Sequence, residues 1–289
     1  MPDGGNPLSI IEFSTLDASF EEDLRAYAAA GLDGIGICEL KLVDGREAEQ
    51  LDAFRDSGLV ASSCVLAVPS ILPLPQLPGP ESPEERVEAI LAGMRRLAPF
   101  EPRAFVCPTG PAGPLSDRDA RRLVVEGLRT LAAEGARLGI PVGLEPMSAH
   151  FRDDWTIVTT LGEAAALVDE VAADGLGLVF DTWHLWDTPL LFEEIELYAD
   201  RIVAVHVGDW REPTRSWCDR VLPGEGVIDV AGILEALEVS GRQGFYELEI
   251  FSDDGTFGSD YEDSLWRLSA LELASAGREA FVSVQSTVF

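Results

Sequence analysis

The feature that most constrains this chain is an alternation of short apolar segments with longer amphipathic segments from end to end. Apolar and β-branched runs predict eight strands: Leu8–Phe13, Gly34–Glu39, Leu59–Leu66, Arg103–Cys107, Val142–Glu145, Gly177–Asp181, Ile202–His206 and Phe245–Phe251. Apolar residues at helical spacing predict eight helices: Phe20–Ala30, Glu47–Ser57, Pro83–Leu97, Asp117–Leu138, Gly162–Ala173, Pro189–Ala199, Val230–Ser240 and Tyr261–Ala274. Several helices run into a glycine, as at Gly31, Gly58 and Gly139, because a left-handed C-cap favours this residue.

Strict alternation of strand and helix implies parallel strand pairing, and a count of eight favours a closed barrel over an open sheet. Barrels of this kind form single domains of roughly 250 residues. No shift in composition marks a boundary, so we expect one α/β domain, a (β/α)8 TIM barrel, over residues 1–289. No GxGxxG motif follows the first strand, which disfavours a dinucleotide-binding fold.

A proline-rich segment at 69–83 follows the third predicted strand. Its sequence, PSILPLPQLPGPESP, has six prolines in fifteen residues. Loops after the strands form the rim of a barrel, where active sites lie. Two interpretations stay open: a stiff surface loop, or a fixed flap over the site or an oligomer contact.

Composition excludes several classes of function. The 289 residues include 21 Lys+Arg and 51 Asp+Glu, for a net charge of −30, which disfavours binding to nucleic acid or to an anionic membrane surface. Lys41 is the only lysine, so Schiff-base chemistry has one candidate residue at most. The sequence has neither an apolar run of about 18 residues nor a secretory signal, and we expect a cytoplasmic protein.

Four neighbouring predicted strands end in groups that can bind a metal: Glu145, Asp181, His206 and an acidic residue of the eighth strand. Side chains at the C-terminal ends of barrel strands converge at the top of the axis. Glu247 and Glu249 share one face of the eighth strand, and Glu249 is chosen because it lies nearer the end. Glu247 would lie deeper and need a partner, for which Arg103 and Arg201 are candidates.

Three carboxylates and one imidazole form an oxygen-rich site suited to one divalent cation. Such ligands favour Mn²⁺, which is the expected ion, with Mg²⁺, Co²⁺, Fe²⁺ or Zn²⁺ as alternatives. The opposing interpretation is that each of the four residues has its own protein partners and that they share no metal ion. Their occurrence at consecutive strand ends makes a shared metal the better explanation.

The motifs around these residues resemble the xylose isomerase-like TIM-barrel superfamily. They are LEP around Glu145, DTWH at 181–184, HVGD at 206–209, LPGEGVID at 222–229 and LEIF around Glu249. The resemblance spans nearly the whole chain, and the motifs are most similar to those of inosose isomerases and dehydratases. It implies that Glu145, Asp181, His206 and Glu249 bind one cation, and that Glu145 and Glu249 are also catalytic.

The resemblance implies a substrate-binding and catalytic role for His184. In relatives, an arginine in the loop after strand 7 binds the substrate. Three residues of this chain are candidates for that role, and the sequence does not choose among them: Arg211, Arg215 and Arg220. Rim aromatic residues such as Trp183 and Trp210 would stack on a sugar face or an apolar aglycone. Lys41 would bind a substrate hydroxyl or carboxylate.

The residue types fit proton transfer beside a carbonyl. A divalent ion acidifies the C–H between a carbonyl and a hydroxyl, and two carboxylates exchange the proton through an enediolate. The leading hypothesis is therefore a metal-dependent isomerase or epimerase of a keto-sugar or keto-inositol. The alternative is a lyase of the same fold: an inosose dehydratase or a 3-keto-glycoside eliminase, including C-glycoside deglycosidases.

Two further hypotheses are weaker. A phosphodiesterase like the endonuclease relatives needs more histidines than His150, His184 and His206. A non-catalytic binding protein would be favoured by loss of a ligand, and none is lost. The expected partner is a small carbohydrate, without nucleic acid or membrane. We expect a homo-oligomer, or a hetero-oligomer if the chain is a deglycosidase subunit.

Overall fold

Eight parallel strands close into a barrel in the computed structural model, which describes residues 6–287. The barrel strands are β1 (Leu8–Ile11), β2 (Gly34–Cys38), β3 (Val60–Val65), β4 (Phe105–Pro108), β5 (Val142–Glu145), β6 (Leu176–Asp181), β7 (Ile202–Val207) and β10 (Tyr246–Leu248). Two further strands, β8 (Asp209–Trp210) and β9 (Arg220–Val221), pair as an antiparallel hairpin after β7. The predicted (β/α)8 TIM barrel is confirmed.

Helices follow the barrel strands and pack around them. They are α1 (Phe20–Ala30), α2 (Glu47–Ser57), α3 (Pro83–Leu97), α4 (Asp117–Leu138), α5 (Arg152–Trp155), α6 (Leu161–Val171), α7 (Thr182–Leu185), α8 (Leu191–Tyr198), α9 (Val230–Val239) and α10 (Ala270–Gln285). The predicted glycine caps are confirmed at Gly31, Gly58 and Gly139, with φ of 76°, 75° and 73°. Within residues 6–287, no helix has both the length and the apolarity needed to cross a bilayer.

The last helix begins later than its sequence pattern predicted. The expectation of a helix over Tyr261–Ala274 is wrong at its start, because α10 runs from Ala270 to Gln285. Ser269 and Glu272 form a capping box that fixes this start. Residues 261–269 instead form a rim segment with a short 3-10 helix at Leu265–Arg267, held where the Trp266 indole N–H donates to the Ile250 carbonyl at 2.8 Å.

The core has two main parts, separated by the barrel wall, and a small third cluster of Leu74, Met147 and Trp155. The larger cluster lies between the strands and the surrounding helices. The smaller one fills the barrel interior with side chains from different strands: Ile11, Phe13, Cys38, Val65, Ala104, Val106, Val179 and Ala204. A buried polar group, formed by Glu247 and the hydroxyls of Ser9, Ser62 and Ser63, lies among these apolar side chains beneath the strand ends.

A buried arginine holds the proline-rich loop in place. Arg86 of α3 is 1% exposed. Its guanidinium donates to the Ser70 carbonyl at 2.8 Å, to the Ser70 hydroxyl at 2.9 Å and to the Pro80 carbonyl at 3.2 Å. Since both ends of the segment are tied to one helix, the loop is fixed against the barrel rim.

We expect Arg86→Met to lower the free energy of unfolding by about 2–4 kcal/mol, because it leaves buried carbonyls of the loop without donors. Chemical denaturation measures the loss. Arg118→Met, at an exposed position of α4, is the matched control and should change stability by less than about 0.5 kcal/mol. Equal stabilities of the two variants would contradict the anchoring role of Arg86.

Candidate active site

Four buried side chains meet at the C-terminal end of the barrel. Glu145 ends β5, Asp181 ends β6, His184 lies in α7 and Glu249 follows β10. Each of the four offers a potential ligand atom, and these atoms lie within 4.8 Å of one another. The arrangement arises because neighbouring parallel strands deliver their last residues to the same end of the axis.

Arg220 bridges two of these carboxylates. It is 2% exposed, and its Nη1 lies 2.9 Å from Asp181 Oδ2 and 2.9 Å from Glu249 Oε2. Burial alone would raise the pKa of the Asp181 carboxyl, but Arg220 together with His184, His206 and a hydrogen bond from Glu249 outweighs burial and lowers that pKa well below its usual range. Burial raises the pKa of Glu249 to about 8, although Arg220 opposes the shift.

Asp181 is also oriented by its own backbone. It is the N-cap of α7, and its Oδ1 accepts the Trp183 N–H at 2.7 Å. Its other oxygen faces Arg220. One oxygen is therefore committed to the helix, and the second is left to the cluster.

His206, which the sequence predicts as a ligand, lies beside the cluster at a deeper level. Its Nδ1 lies 2.9 Å from Glu145 Oε1 and 3.7 Å from Glu249 Oε2, and its Nε2 lies 3.2 Å from Glu247 Oε1. Burial alone would lower the pKa of this imidazole, but Glu249 and Glu145 outweigh it and raise the pKa well above its ordinary value. His206 thus links the strand-end carboxylates to the barrel interior.

His184 has a different hydrogen-bond environment. Its Nδ1 accepts the backbone N–H of Ser148 at 3.1 Å. Its Nε2 lies 3.5 Å from Asp181 Oδ2 and 3.3 Å from Arg220 Nη2. Burial lowers the pKa of His184 to about 4, so the ring is neutral near pH 7.

Glu247 has serines as partners, not the arginines that the sequence suggested. It is buried in the barrel interior and accepts the hydroxyls of Ser63 at 2.5 Å, of Ser9 at 3.3 Å, and of Ser62. Arg201 instead pairs with Asp169 at 2.8 Å on the surface. Polar serines within an otherwise apolar β3 are a sequence signal for such a buried partner.

Among the three candidate arginines, the structure directs Arg220 into the cluster. Arg211 donates to Asp219 at 2.9 Å and lies 3.0 Å from Asp263. Arg215 pairs with the same two acids. The expectation that Arg211 faces substrate therefore does not match its position, because Asp219 and Asp263 hold it outside the cavity.

Lys41 also lies away from the cluster. Its Nζ is 2.5 Å from Asp23 Oδ2 and 2.7 Å from the Thr15 carbonyl. The side chain is 7% exposed and does not line the cavity. The ion pair with a fully buried acid holds Lys41 between β2 and α1. Its position therefore fits a role in stabilising the fold and not in contacting substrate.

The cavity above the cluster has Trp183 on its wall, with Trp210 behind it. The two rings lie 4.7 Å apart, and Trp210 also packs on Trp186. The expected stacking of Trp210 on substrate does not fit this position. Sequence reasoning missed other cavity-lining rings, although their positions just after strands were the available signal: Phe13, Phe251 and Phe257.

A family model described as "Xylose isomerase-like TIM barrel" matches residues 24–274. The chain belongs to this family. A 3-dehydroshikimate dehydratase from Pseudomonas putida is 26% identical over 260 residues, which cover 83% of this chain and 37% of that protein. An inosose isomerase from Halalkalibacterium halodurans is 27% identical over 176 residues, or 59% of this chain and 57% of that one. The chain thus spans little more than a third of the first relative and over half of the second.

Solved structures show the same fold. A crystal structure of a Sinorhizobium meliloti protein has a TM-score of 0.84 at 25% identity, with 96% of this chain and 98% of that one covered. The IOLI protein, described "with a binding zinc atom", has a TM-score of 0.80 at 20% identity, with coverage of 98% and 99%. The predicted membership of the xylose isomerase-like family is confirmed.

In this family member, the HVGD and LPGEGVID motifs fold onto each other through Asp209. Its carboxylate accepts the backbone N–H groups of Gly224 and Gly226 at 2.9 Å and of Ile228 at 3.0 Å. A Cβ at Gly226 would collide with this carboxylate, so the close approach requires glycine. Asp209 lies in β8, which pairs with the β9 strand that carries Arg220. The motif therefore supports the hairpin that places this arginine.

We expect Arg220→Met to destabilise the protein, in the absence of added metal, by about 3–5 kcal/mol, because Asp181 and Glu249 lose a buried counter-charge. Arg211→Met is the control. Asp219 keeps its contact with Arg215 in that variant, so the cost should stay below about 1 kcal/mol. Urea unfolding with a chelator present measures both. Similar losses would show that Arg220 does not compensate the cluster.

Proposed function

We propose that this protein is a divalent-metal-dependent isomerase or epimerase of a keto-sugar or keto-inositol. The observation that carries the proposal is the convergence of Glu145, Asp181 and Glu249 with His184 at one buried point, where His206 also reaches Glu145. Isolated acids avoid such burial, and a shared cation removes its cost. Relatives named inosose isomerase and D-psicose 3-epimerase support the same class of substrate.

The residues fit one divalent cation. Glu145, Asp181 and Glu249 are hard oxygen donors, and they favour Mn²⁺, with Mg²⁺, Co²⁺, Fe²⁺ or Zn²⁺ as alternatives. When bound, the cation would polarise a substrate carbonyl and acidify the adjacent C–H. Arg220 lies between two of the three carboxylates, so its guanidinium would be free to turn toward substrate oxygens once a cation neutralises them.

Hydrogen bonding favours His206 over His184 as the fourth ligand. A ligating imidazole needs one lone pair for the metal and directs its other N–H at an acceptor. The Nδ1 of His206 faces the carboxylates at 2.9 Å from Glu145 Oε1. Its buried Nε2 lies 3.2 Å from Glu247 Oε1 without an aligned hydrogen bond, and a small rotation of the ring would let Nε2–H donate to Glu247 when Nδ1 holds the cation. The Nδ1 of His184 accepts the Ser148 N–H. Its Nε2 lies at the cluster beside Asp181 and Arg220, where it is suited to contact a substrate oxygen.

Glu145 and Glu249 are suited to move the substrate proton. Both line the cavity at its polar end. Burial raises the pKa of Glu249 to about 8 in the absence of a cation, and a bound cation would lower this pKa again, toward the range where a carboxyl group can both accept and return a proton. One residue would take the proton beside the carbonyl, and the other would return it to the neighbouring carbon or to the opposite face.

A lyase is the second candidate, and the apolar cavity walls favour it. The same proton abstraction would expel a β-substituent: the C–H electrons form a C=C bond, the C–O bond breaks, and the leaving oxygen takes a proton from a carboxyl group. This reaction would make the protein an inosose dehydratase or a 3-keto-glycoside eliminase. Relatives named 3-dehydroshikimate dehydratase and inosose dehydratase support this class.

We expect His206→Asn to weaken Mn²⁺ binding by at least about 100-fold, because it removes a ligand and its contact with Glu247. His184→Asn should bind Mn²⁺ within about threefold of the unaltered protein while losing activity. Calorimetric titration of chelator-treated protein measures both affinities. Asp181→Asn should lose the ion as well. Loss of affinity in His184→Asn, with retention in His206→Asn, would reverse the assignment of the two histidines.

We expect the substrate to exchange hydrogen beside its carbonyl in D₂O. A screen of keto-sugars, inososes and 3-keto glycosides with Mn²⁺, followed by NMR, measures the uptake of deuterium. Glu145→Gln and Glu249→Gln should each slow the exchange by about 10²–10⁴-fold. Glu126→Gln, on the exposed face of α4, is the control. An active enzyme that turns over substrate without exchange would contradict proton abstraction by carboxyl groups that exchange their proton with solvent during turnover.

A further inference from the structure

The cavity above the carboxylate cluster is sharply divided between a polar end and apolar walls. Among its lining residues that the structure describes, the ionisable side chains are Glu145, His184, Arg220 and Glu249, all at the cluster. The remaining walls are aromatic, aliphatic or proline side chains. Apart from the indole N–H groups of Trp155, Trp183 and Trp217, hydrogen-bonding groups are therefore concentrated around one small region of any bound molecule.

The apolar wall is centred on Trp217, in the loop between β8 and β9. Its ring contacts Trp155 at 5.1 Å and Phe257 at 5.0 Å, both edge-on, and lies 6.0 Å from Phe251. Phe13 continues the wall, 5.6 Å from Phe251. These rings come from the loops after β1, β5, β7 and β10, so separate parts of the chain converge to build one surface.

Trp217, Phe251 and Phe257 stay half-buried, with the remaining exposure available to a ligand. The fixed proline-rich loop closes the same cavity through Pro69 and Leu77. An aromatic surface of this kind stacks planar apolar groups and sugar faces that lack axial hydroxyls. It offers few partners for hydroxyl groups.

A free keto-sugar fits this division poorly. It carries a hydroxyl on nearly every carbon, and those beyond the carboxylate end would lose water without gaining a hydrogen bond. A substrate with a polar reacting end and an apolar remainder would satisfy both parts of the cavity.

We infer that the natural substrate is amphipathic: a keto-sugar or keto-cyclitol ring that carries an aromatic or similarly planar apolar substituent. The ring lies at the carboxylate cluster, and the substituent lies against Trp217, Trp155 and Phe257. This inference rests on the proposed function, because proton abstraction by Glu145 and Glu249 fixes which end of the substrate holds the carbonyl.

The test compares two probes, the 3-keto derivatives of phenyl β-glucoside and methyl β-glucoside, with Mn²⁺-loaded protein. Both dissociation constants and rates of deuterium exchange are measured. We expect the phenyl compound to bind about 30-fold more tightly and to have a correspondingly higher kcat/KM, equal to about 2 kcal/mol of binding free energy. Equal affinities for the two probes would overturn the inference.

Variants of the apolar wall test which residues cause the preference for the phenyl probe over the methyl probe. Trp217→Ala should reduce the phenyl-to-methyl ratio from about 30 to below about 5, and Trp217→Phe should restore most of it, because a ring is again present. Phe257→Leu is a second, milder test if Trp217→Ala fails to fold. Trp186→Phe, a tryptophan outside the cavity lining, should leave the ratio unchanged. A ratio that survives both Trp217→Ala and Phe257→Leu would also overturn the inference.

The two proposals fail in different ways. Tight binding of the phenyl probe without deuterium exchange on any keto substrate would refute the proposed function and leave the amphipathic ligand supported. Exchange on free keto-sugars as fast as on the phenyl compound would support the proposed function and refute the amphipathic substrate.

Discussion

The burial of several carboxylates at one end of the barrel is the constraint on which the rest of the site depends. Glu145, Asp181 and Glu249 lie at the top of the axis, and Glu247 lies beneath them. Moving such charges out of water costs several kcal/mol each unless opposite charges and hydrogen bonds compensate. Arg220, His206 and three serines supply this compensation, and a divalent cation would complete it. The elements around the site follow from this requirement.

The β8–β9 hairpin is the clearest consequence. The hairpin carries the backbone of Arg220 over the rim, and its guanidinium reaches the carboxylates from there. Asp209 holds the hairpin by accepting backbone N–H groups from the following turn. The loop between β8 and β9 also places Trp217 over the cavity. One loop therefore supplies both the cation that balances the acids and the ring that forms the apolar wall.

Much of the fold could be predicted because periodicity is a local property. Strand and helix patterns in sequence order imply parallel pairing, and the strand ends then identify Glu145, Asp181 and Glu249. The start of α10 was misjudged, because the acidic and aromatic run at 261–269 has a helix-like composition. There, the contact of Trp266 with Ile250 favours a rim loop over another turn of helix.

The sequence by itself determined the barrel, the family and the set of strand-end groups, because each depends on spacing along the chain. Only the tertiary structure decided which arginine faces the acids, which partners satisfy Glu247, and that Trp217 lines the cavity while Trp210 packs behind Trp183. The physical reason is that a loop side chain takes its direction from long-range packing and charge compensation. Residues far apart in the sequence supply both, and no local pattern encodes them.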